Sequence, residues 1–455
     1  MFMRRSFSTL STLSSSASFK MSTYTTDKAS PFTRAVVRAM RRLYPEELAD
    51  SSFDNTGLLL EAPFDPIRRQ MNSVLLTIDL TKAVADEAIE RKDCVVVSYH
   101  PIIFRGFKSL TLADSQQQSL LRLALEGISV YSPHTAVDAA PGGLGDWLAD
   151  IVTGTLPGPE PEAHTAAPIP EEDGEPALDE EEKNPPHTHP EDEQNTQAET
   201  NGDSPSKAAS PKPKQHPQRP SMAPRASTYS KPTYPKPADL DQTNLSPSAL
   251  AHTRSVIHPV ASKPSGFESA GMGRLVKFHT PQPLTHLIER IAEGVGSPKG
   301  FPVAIPQTRQ VEDIMIRSVG ICAGSGAHVL KDVDADLLFT GEFSHHEALA
   351  ATEKGKCVVT LFHSNTERGF LGSVMKWKLD GLLKEEWKKV RGEVRGDVDE
   401  MDGGLREEWE DALNDEDVLV ECSEVDRDPF GIVILQSSPQ VGKPLSGGGE
   451  DDGGG

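Results

Sequence analysis

Residues 74–101 read VLLTIDLTKAVADEAIERKDCVVVSYHP, and this stretch decides the fold. Val74-Leu-Leu-Thr-Ile-Asp79 is a short apolar run ending in polar residues, which reads as a buried strand. Thr81 to Arg91 reads as a helix. Asp93-Cys-Val-Val-Val-Ser-Tyr99 is rich in β-branched residues and reads as a second strand, and Pro101 just beyond it stops the ladder. Strands alternating with helices predict an α/β fold, α+β in the broader sense, with parallel pairing.

The same alternation extends outward. Ala35, Val36, Val37, Met40 and Leu43 recur at helical spacing, Gln116 to Glu126 reads as a helix, and Ile128 to Tyr131 as a strand. Order resumes near Gly273. Strands are expected at Leu275–Phe278, Ile314–Ile321, Ala335–Phe339, Cys357–Leu361 and Val418–Cys422. Helices are expected at Pro283–Ala292 and Phe343–Glu353, with a long one through Leu371 to Trp387. The charged stretch from Gly392 to Glu416 reads as a surface excursion. Two α/β segments, 31–153 and 270–440, thus flank residues 154–269.

Composition explains the break. The chain has 455 residues, with 36 Pro, 36 Gly and only 36% hydrophobic residues, too poor a mix for one continuous globule. From about Leu156 to Phe267 the sequence is Pro, Ser, Ala and charge, first acidic (Asp179-Glu-Glu-Glu182), then basic without acid from Lys207 to Lys236. Such a segment buries too little apolar surface to offset its ordering entropy and is expected to be disordered. Lys212, Lys214 and Arg219 read as a solvated spacer or as a nuclear-import patch. Residues 1–30 are set apart: Arg4, Arg5 and Lys20 among serines, with no acid before Asp27, match a mitochondrial transit peptide or a merely Ser-rich terminus. A start at Met21 would give a cytoplasmic form. The Gly-rich tail, 441–455, is expected to be disordered as well.

Several function classes are excluded. A net charge of −22 argues against direct nucleic-acid binding by the whole protein. No apolar run approaches the roughly 20 residues of a membrane helix. Cys94, Cys322, Cys357 and Cys422 stand far apart, so neither a disulfide framework nor a thiolate zinc knuckle is expected, and a reducing compartment fits. There is no G-x-S-x-G elbow, no H-E-x-x-H, no dinucleotide fingerprint and no Walker lysine.

The chemistry-bearing residues sit at strand ends, where ligands collect in α/β sheets. Of the 14 histidines, six, including His252 and His258, fall in the insertion. Ser98-Tyr-His100-Pro101 delivers His100 at the end of a strand. His134-Thr-Ala-Val-Asp138 and His363-Ser-Asn-Thr-Glu367 each place a histidine four residues before a carboxylate. Imidazoles and carboxylates so placed suit zinc, manganese or iron. In Thr340-Gly-Glu-Phe-Ser-His-His346-Glu, either polar groups cap a helix start or Glu342 and His346 serve as general bases beside a ligand. Gly324-Ser-Gly326 reads as a tight turn or as an amide cradle for an anion.

Together these motifs resemble the Ngg-interacting factor three-like family, often labelled GTP cyclohydrolase I type 2 homologues. The matching stretches are Phe53-Asp-Asn-Thr-Gly-Leu58, Ser98–Phe104, Ser132–Asp138, Ala323–Gly326, Ala335–His346, His363–Phe370 and Ser423–Pro429, in the family's order. The resemblance implies two α/β lobes with a dinuclear metal site in the cleft between them, and ring-like homo-oligomers. It assigns the ligands to His100, Asp138, His363 and Glu367, with one or two ions per chain, and puts His134 near the site. Tyr99 stands where the family commonly has a further histidine, which removes one ligand. Two functions follow: a metal-dependent hydrolase acting on a nucleotide, a phosphoester or a related small molecule, or a non-catalytic metal-binding regulatory factor that meets protein partners, as in transcription.

Overall fold

The computed structural model describes residues 28–154, 249–261, 263–399 and 405–434. The expectations for the targeting segment, for the low-complexity stretch up to residue 248 and for the Gly-rich tail lie outside those residues.

The first half of the chain folds as the opening stretch predicts. Its elements are α1 (Pro31–Leu43), β1 (Gly57–Leu60), β2 (Met71–Thr77), α2 (Lys82–Arg91), β3 (Asp93–Ser98), α3 (Ser115–Glu126), β4 (Ser129–Ser132), α4 (Thr135–Ala139) and α5 (Leu144–Thr153). Strands β2, β3 and β4 are parallel neighbours, and β1 closes one edge antiparallel to β4. Val74 to Leu76 and Val95 to Val97 are buried on both faces, as continuous apolar runs in a covered parallel sheet must be. The covering helices start at side-chain caps. The Thr81 hydroxyl accepts from Val84 N at the head of α2, and Asp114 accepts from Gln116 and Gln117 N at the head of α3.

The second half adds β5 (His252–Pro259), β6 (Gly271–Pro283), α6 (Leu284–Gly294), β7 (Val303–Ala304), β8 (Met315–Ser325), α7 (Ala327–Leu330), β9 (Leu337–Glu342), α8 (His345–Glu353), β10 (Cys357–Thr360), α9 (Arg368–Phe370), α10 (Lys376–Asp399), α11 (Arg406–Asn414) and β11 (Leu419–Cys422). Its sheet has the order β5-β6-β8-β9-β10-β7. Strands β8, β9 and β10 are parallel, with antiparallel strands outside them. The carboxyl ends of these parallel strands carry the second set of motifs.

Three expectations need correction. Strand β5 lies inside the stretch assigned to the insertion, so His252 and His258 belong to the sheet. An edge strand is held by its ladder, here seven Cα partners on β6, and needs no apolar run. The supposed excursion from 392 to 416 is largely helix. Helix α10 continues past Trp387 because Leu379, Leu383, Trp387, Val390, Val394 and Val398 form a buried stripe at three- and four-residue spacing among charges. In α11, Trp409 packs on Phe64 with ring centroids 4.9 Å apart. Finally, 270–440 is not one lobe. Strand β11 leaves the second half and pairs parallel with β2, giving the first sheet the order β1-β4-β3-β2-β11. Phe32 of α1 packs edge-on against Trp387 of α10 at 5.4 Å, so the long helix covers the first sheet's core.

One buried ion pair ties the halves together. Arg274 on β6 reaches Asp146 on α5 with both arms, Nε to Oδ1 at 2.7 Å and Nη2 to Oδ2 at 3.0 Å, and its Nη1 donates to the carbonyl of Gly271 at 2.6 Å.

Candidate metal centre

Two strand ends and one short turn build the centre. His100 follows β3, and the β2–β3 ladder runs on past the strand: Tyr99 N donates to Thr77 O at 2.8 Å and His100 N to Ile78 O at 3.0 Å. That register sets His100 beside Asp79, whose Oδ1 lies 2.9 Å from the imidazole Nδ1. His363 follows β10 across Phe362, which holds φ at 64°, a region that bulky residues occupy only when their surroundings enforce it. Its Nδ1 is 3.1 Å from Glu342 Oε2 at the end of β9. Each ring is thus oriented by a carboxylate on Nδ1, which leaves Nε2 as the atom that could meet an ion.

Both Nε2 atoms face Glu367. His100 Nε2 is 3.4 Å from Glu367 Oε2 and His363 Nε2 is 3.5 Å from Oε1. One ligand atom from each of the three residues falls within 4.8 Å of the others. Bonds of about 2.0–2.1 Å in a tetrahedral zinc site give edges of about 3.3–3.5 Å. Glu367 is buried, and its Oε2 accepts no hydrogen bond. A buried, unpaired carboxylate oxygen is costly unless a cation or proton meets it. The residues present therefore fit a divalent ion. Burial pulls the His100 imidazole down, but the charge of Glu367 and the hydrogen bond to Asp79 outweigh it and push it up to about 10, so without an ion Nε2 carries a proton that metal binding would displace.

The backbone around Glu367 is closely fitted. At Gly324, where φ is +55°, a Cβ would lie 2.6 Å from Glu367 Oε1 and 2.9 Å from His363 Nε2, so only glycine leaves room. Beneath the turn, Ser364 Oγ donates to Asp428 Oδ2 at 2.7 Å. Arg368 pairs with Asp426 in a buried contact, and Asp426 also accepts from Ile78 N at 2.7 Å. The Ser423–Pro429 loop therefore braces both the His363–Glu367 turn and the end of β2.

The remaining predicted site residues take other places. Asp138 is outside the convergent three. Its Oδ1 accepts a hydrogen bond from the Tyr99 hydroxyl at 2.7 Å, and burial pushes its carboxyl up to about 7. Tyr99 thus engages the carboxylate that the family resemblance offers as a ligand. His134 stands edge-on to His100 at 5.5 Å, and its Nδ1 binds Asp54 Oδ1 at 2.5 Å. Glu342 is engaged with His363 and acts on the ring's orientation. His346 is exposed at the start of α8 beside His345, its ring 5.2 Å away, and is not part of the group. The Gly324-Ser-Gly326 turn is no open amide cradle, because Gly324 N donates to Thr366 Oγ1 and Gly326 N to Thr340 Oγ1.

A sequence profile described as Duf34/NIF3 (NGG1p interacting factor 3) matches residues 33–392. The chain belongs to the NIF3 family. It is 36% identical to the Protein NIF3 homolog of Schizosaccharomyces pombe over 350 residues, 77% of this chain and 89% of that one. It is 30% identical to NGG1-interacting factor 3 of Saccharomyces cerevisiae, over 78% of this chain and 91% of that one. Among solved structures it is similar to a Bacillus cereus protein related to NIF3, at 17% identity and a TM-score of 0.48, covering 88% of this chain and 98% of that one.

In this NIF3-family chain, sequence reasoning missed the acids that hold the site. Asp79 ends the strand beside β3, so its partnership with His100 was implicit in parallel pairing. Asp54 sat in a stretch that also reads as a plain turn. Asp426 and Asp428 sat in the matching loop near the end, with no signal in the sequence of where that loop docks.

Proposed function

We propose that the protein is a metal-dependent hydrolase acting on a nucleotide or a phosphoester-like small molecule. The observation that carries this reading is the buried Glu367, whose Oε2 accepts no hydrogen bond, facing two imidazoles that are each braced by a carboxylate. His100, His363 and Glu367 would hold one ion tightly, and Asp138, once released by Tyr99, would hold a second weakly. When bound, a divalent ion supplies Lewis acidity and a hydroxide-like nucleophile near neutral pH. The chain's own residues do the rest. A cavity of about 950 Å³ opens against His100, lined by Asp79, Thr81, Lys82, Ser115 and Arg427, and offers room for a small substrate. His134, held through Nδ1 by Asp54, keeps its Nε2 available to take a proton beside His100.

A panel of nucleotides, phosphoesters and cyclic amides, assayed with zinc, manganese or iron, tests this. Turnover is expected on at least one. It should be abolished in Glu367→Ala and reduced about a hundredfold or more in His134→Ala, with metal content kept in the latter. No turnover on any compound would favour the second reading, a metal-binding regulatory factor with protein partners. The support for that reading is the name of the Saccharomyces cerevisiae relative as an interacting factor. Homo-oligomers, and a mitochondrial form beside a cytoplasmic one, belong to either reading.

A further inference from the structure

Two motifs that the sequence singled out carry a phenylalanine with no role in the centre. Phe53-Asp-Asn-Thr-Gly and Pro101-Ile-Ile-Phe104 each carry a phenylalanine left in solvent, Phe53 at 52% and Phe104 at 45% exposure. A phenyl ring has no polar handle, so exposure of two in contact leaves apolar surface unsatisfied. These rings are not loose. Their centroids lie 6.2 Å apart, tilted by 37°, and both meet the edge of the His134 ring, at 6.5 and 6.4 Å.

The loops beneath them are pinned. Asn55 Nδ2 donates to Ile103 O, tying one loop to the other. Asp54, between Phe53 and Asn55, is buried against His134 Nδ1, and Thr135 N donates to its Oδ2 at 3.2 Å. His134 in turn lies 5.5 Å from His100, a member of the convergent three. Flat apolar faces, a polar imidazole and a metal-type group therefore follow one another over a few ring widths.

We propose that Phe53 and Phe104 form a stacking platform for a planar heteroaromatic ring of nucleobase size, carried by a ligand whose anionic end reaches the His100–His363–Glu367 group. This rests on the proposed hydrolase reading and narrows its substrate to compounds with such a ring. At 6.2 Å the two rings touch and leave no slot between them, so the ligand ring lies across them as on one surface. Stacking on aromatic side chains accepts any base, because each has a π-face. Phe107, Leu110 and Leu112 on the same loop are also exposed, and a second copy of the chain is the competing occupant.

The experiment is calorimetric titration of the full chain, loaded with zinc, with AMP, GMP, UMP and the ring-less ribose 5-phosphate. At least one nucleotide should bind about tenfold tighter than ribose 5-phosphate. In a Phe53→Ala, Phe104→Ala double variant this advantage should vanish while metal content and thermal unfolding stay put. Phe53→Trp should keep it. Equal binding of all four compounds, or an advantage that survives the double substitution, would overturn the proposal. So would a double variant that loses an oligomer in light scattering yet binds nucleotide unchanged, which would make this face an interface between copies. Ring-dependent binding without any turnover would support the platform and overturn only the hydrolase reading.

Discussion

At the scale of single residues, the candidate centre depends on partners outside the convergent three. Asp79 fixes the tautomer of His100 from the neighbouring strand end, so Asp79→Ala should weaken metal affinity about 10- to 100-fold with the fold intact. A competition titration with a chromogenic chelator measures it, and unchanged affinity would remove Asp79 from the centre. Gly324→Ala should also weaken binding, since its Cβ would come within 2.6 Å of Glu367 Oε1. His100, His363 and Glu367 were legible in the sequence because strand-end histidines and a four-residue spacing are local features. Asp79, Asp54 and Asp428 were not, because their roles exist only once sheet register and a distant loop bring them in. Asp138 shows how a neighbouring side chain can engage a residue carried over by motif. Tyr99 is adjacent to His100 in sequence, but its hydroxyl reaches a carboxylate 39 positions away and gives it another partner.

At the scale of elements, β2, α2 and β3 could be read directly, since apolar runs and side-chain caps are local. Strand β5 and the far half of α10 could not. The first is held by ladder bonds to β6, and the second hides its apolar stripe in a charged background. The joint between the halves, Arg274 with Asp146, gives a prediction with a sign. Burial acts to raise the Asp146 carboxyl, but the hydrogen bond and charge of Arg274 hold it below its ordinary value of 3.8. A carboxyl lowered on folding stabilises the folded chain above its unfolded value, and that contribution is lost as pH falls through the folded one. The stability gap between the native chain and Asp146→Asn should thus be constant from pH 7 to about pH 5 and shrink only below about pH 4. Urea unfolding across that range measures it, and a gap that closes between pH 7 and 5 would assign the pair no such role. Arg274→Met leaves the half-buried Asp146 with Gly142 N at 2.9 Å and Arg254 Nη1 at 3.4 Å, and should cost about 1–3 kcal/mol at pH 7.

At the scale of the whole molecule, the two sheets exchange chain. Strand β11 and helix α10 return to the first sheet, so the motif at 423–429 lies over the centre from the far end of the sequence. Replacing residues 155–248 with a short Gly/Ser linker should leave thermal unfolding and metal content unchanged, because their composition supplies no core. The replacement has to stop short of β5, and a large loss of either property would show that the removed stretch packs on the sheets. Residues 1–30 fused to a fluorescent reporter should send a fraction of it to mitochondria, and a purely diffuse signal would reject the targeting role. The central claim, a cation held by His100, His363 and Glu367, is tested most directly by elemental analysis of the full chain purified without a metal-affinity tag. About one transition-metal ion per chain is expected, lost in a folded His363→Ala, Glu367→Ala double variant. Metal content unchanged by that double substitution would contradict the account.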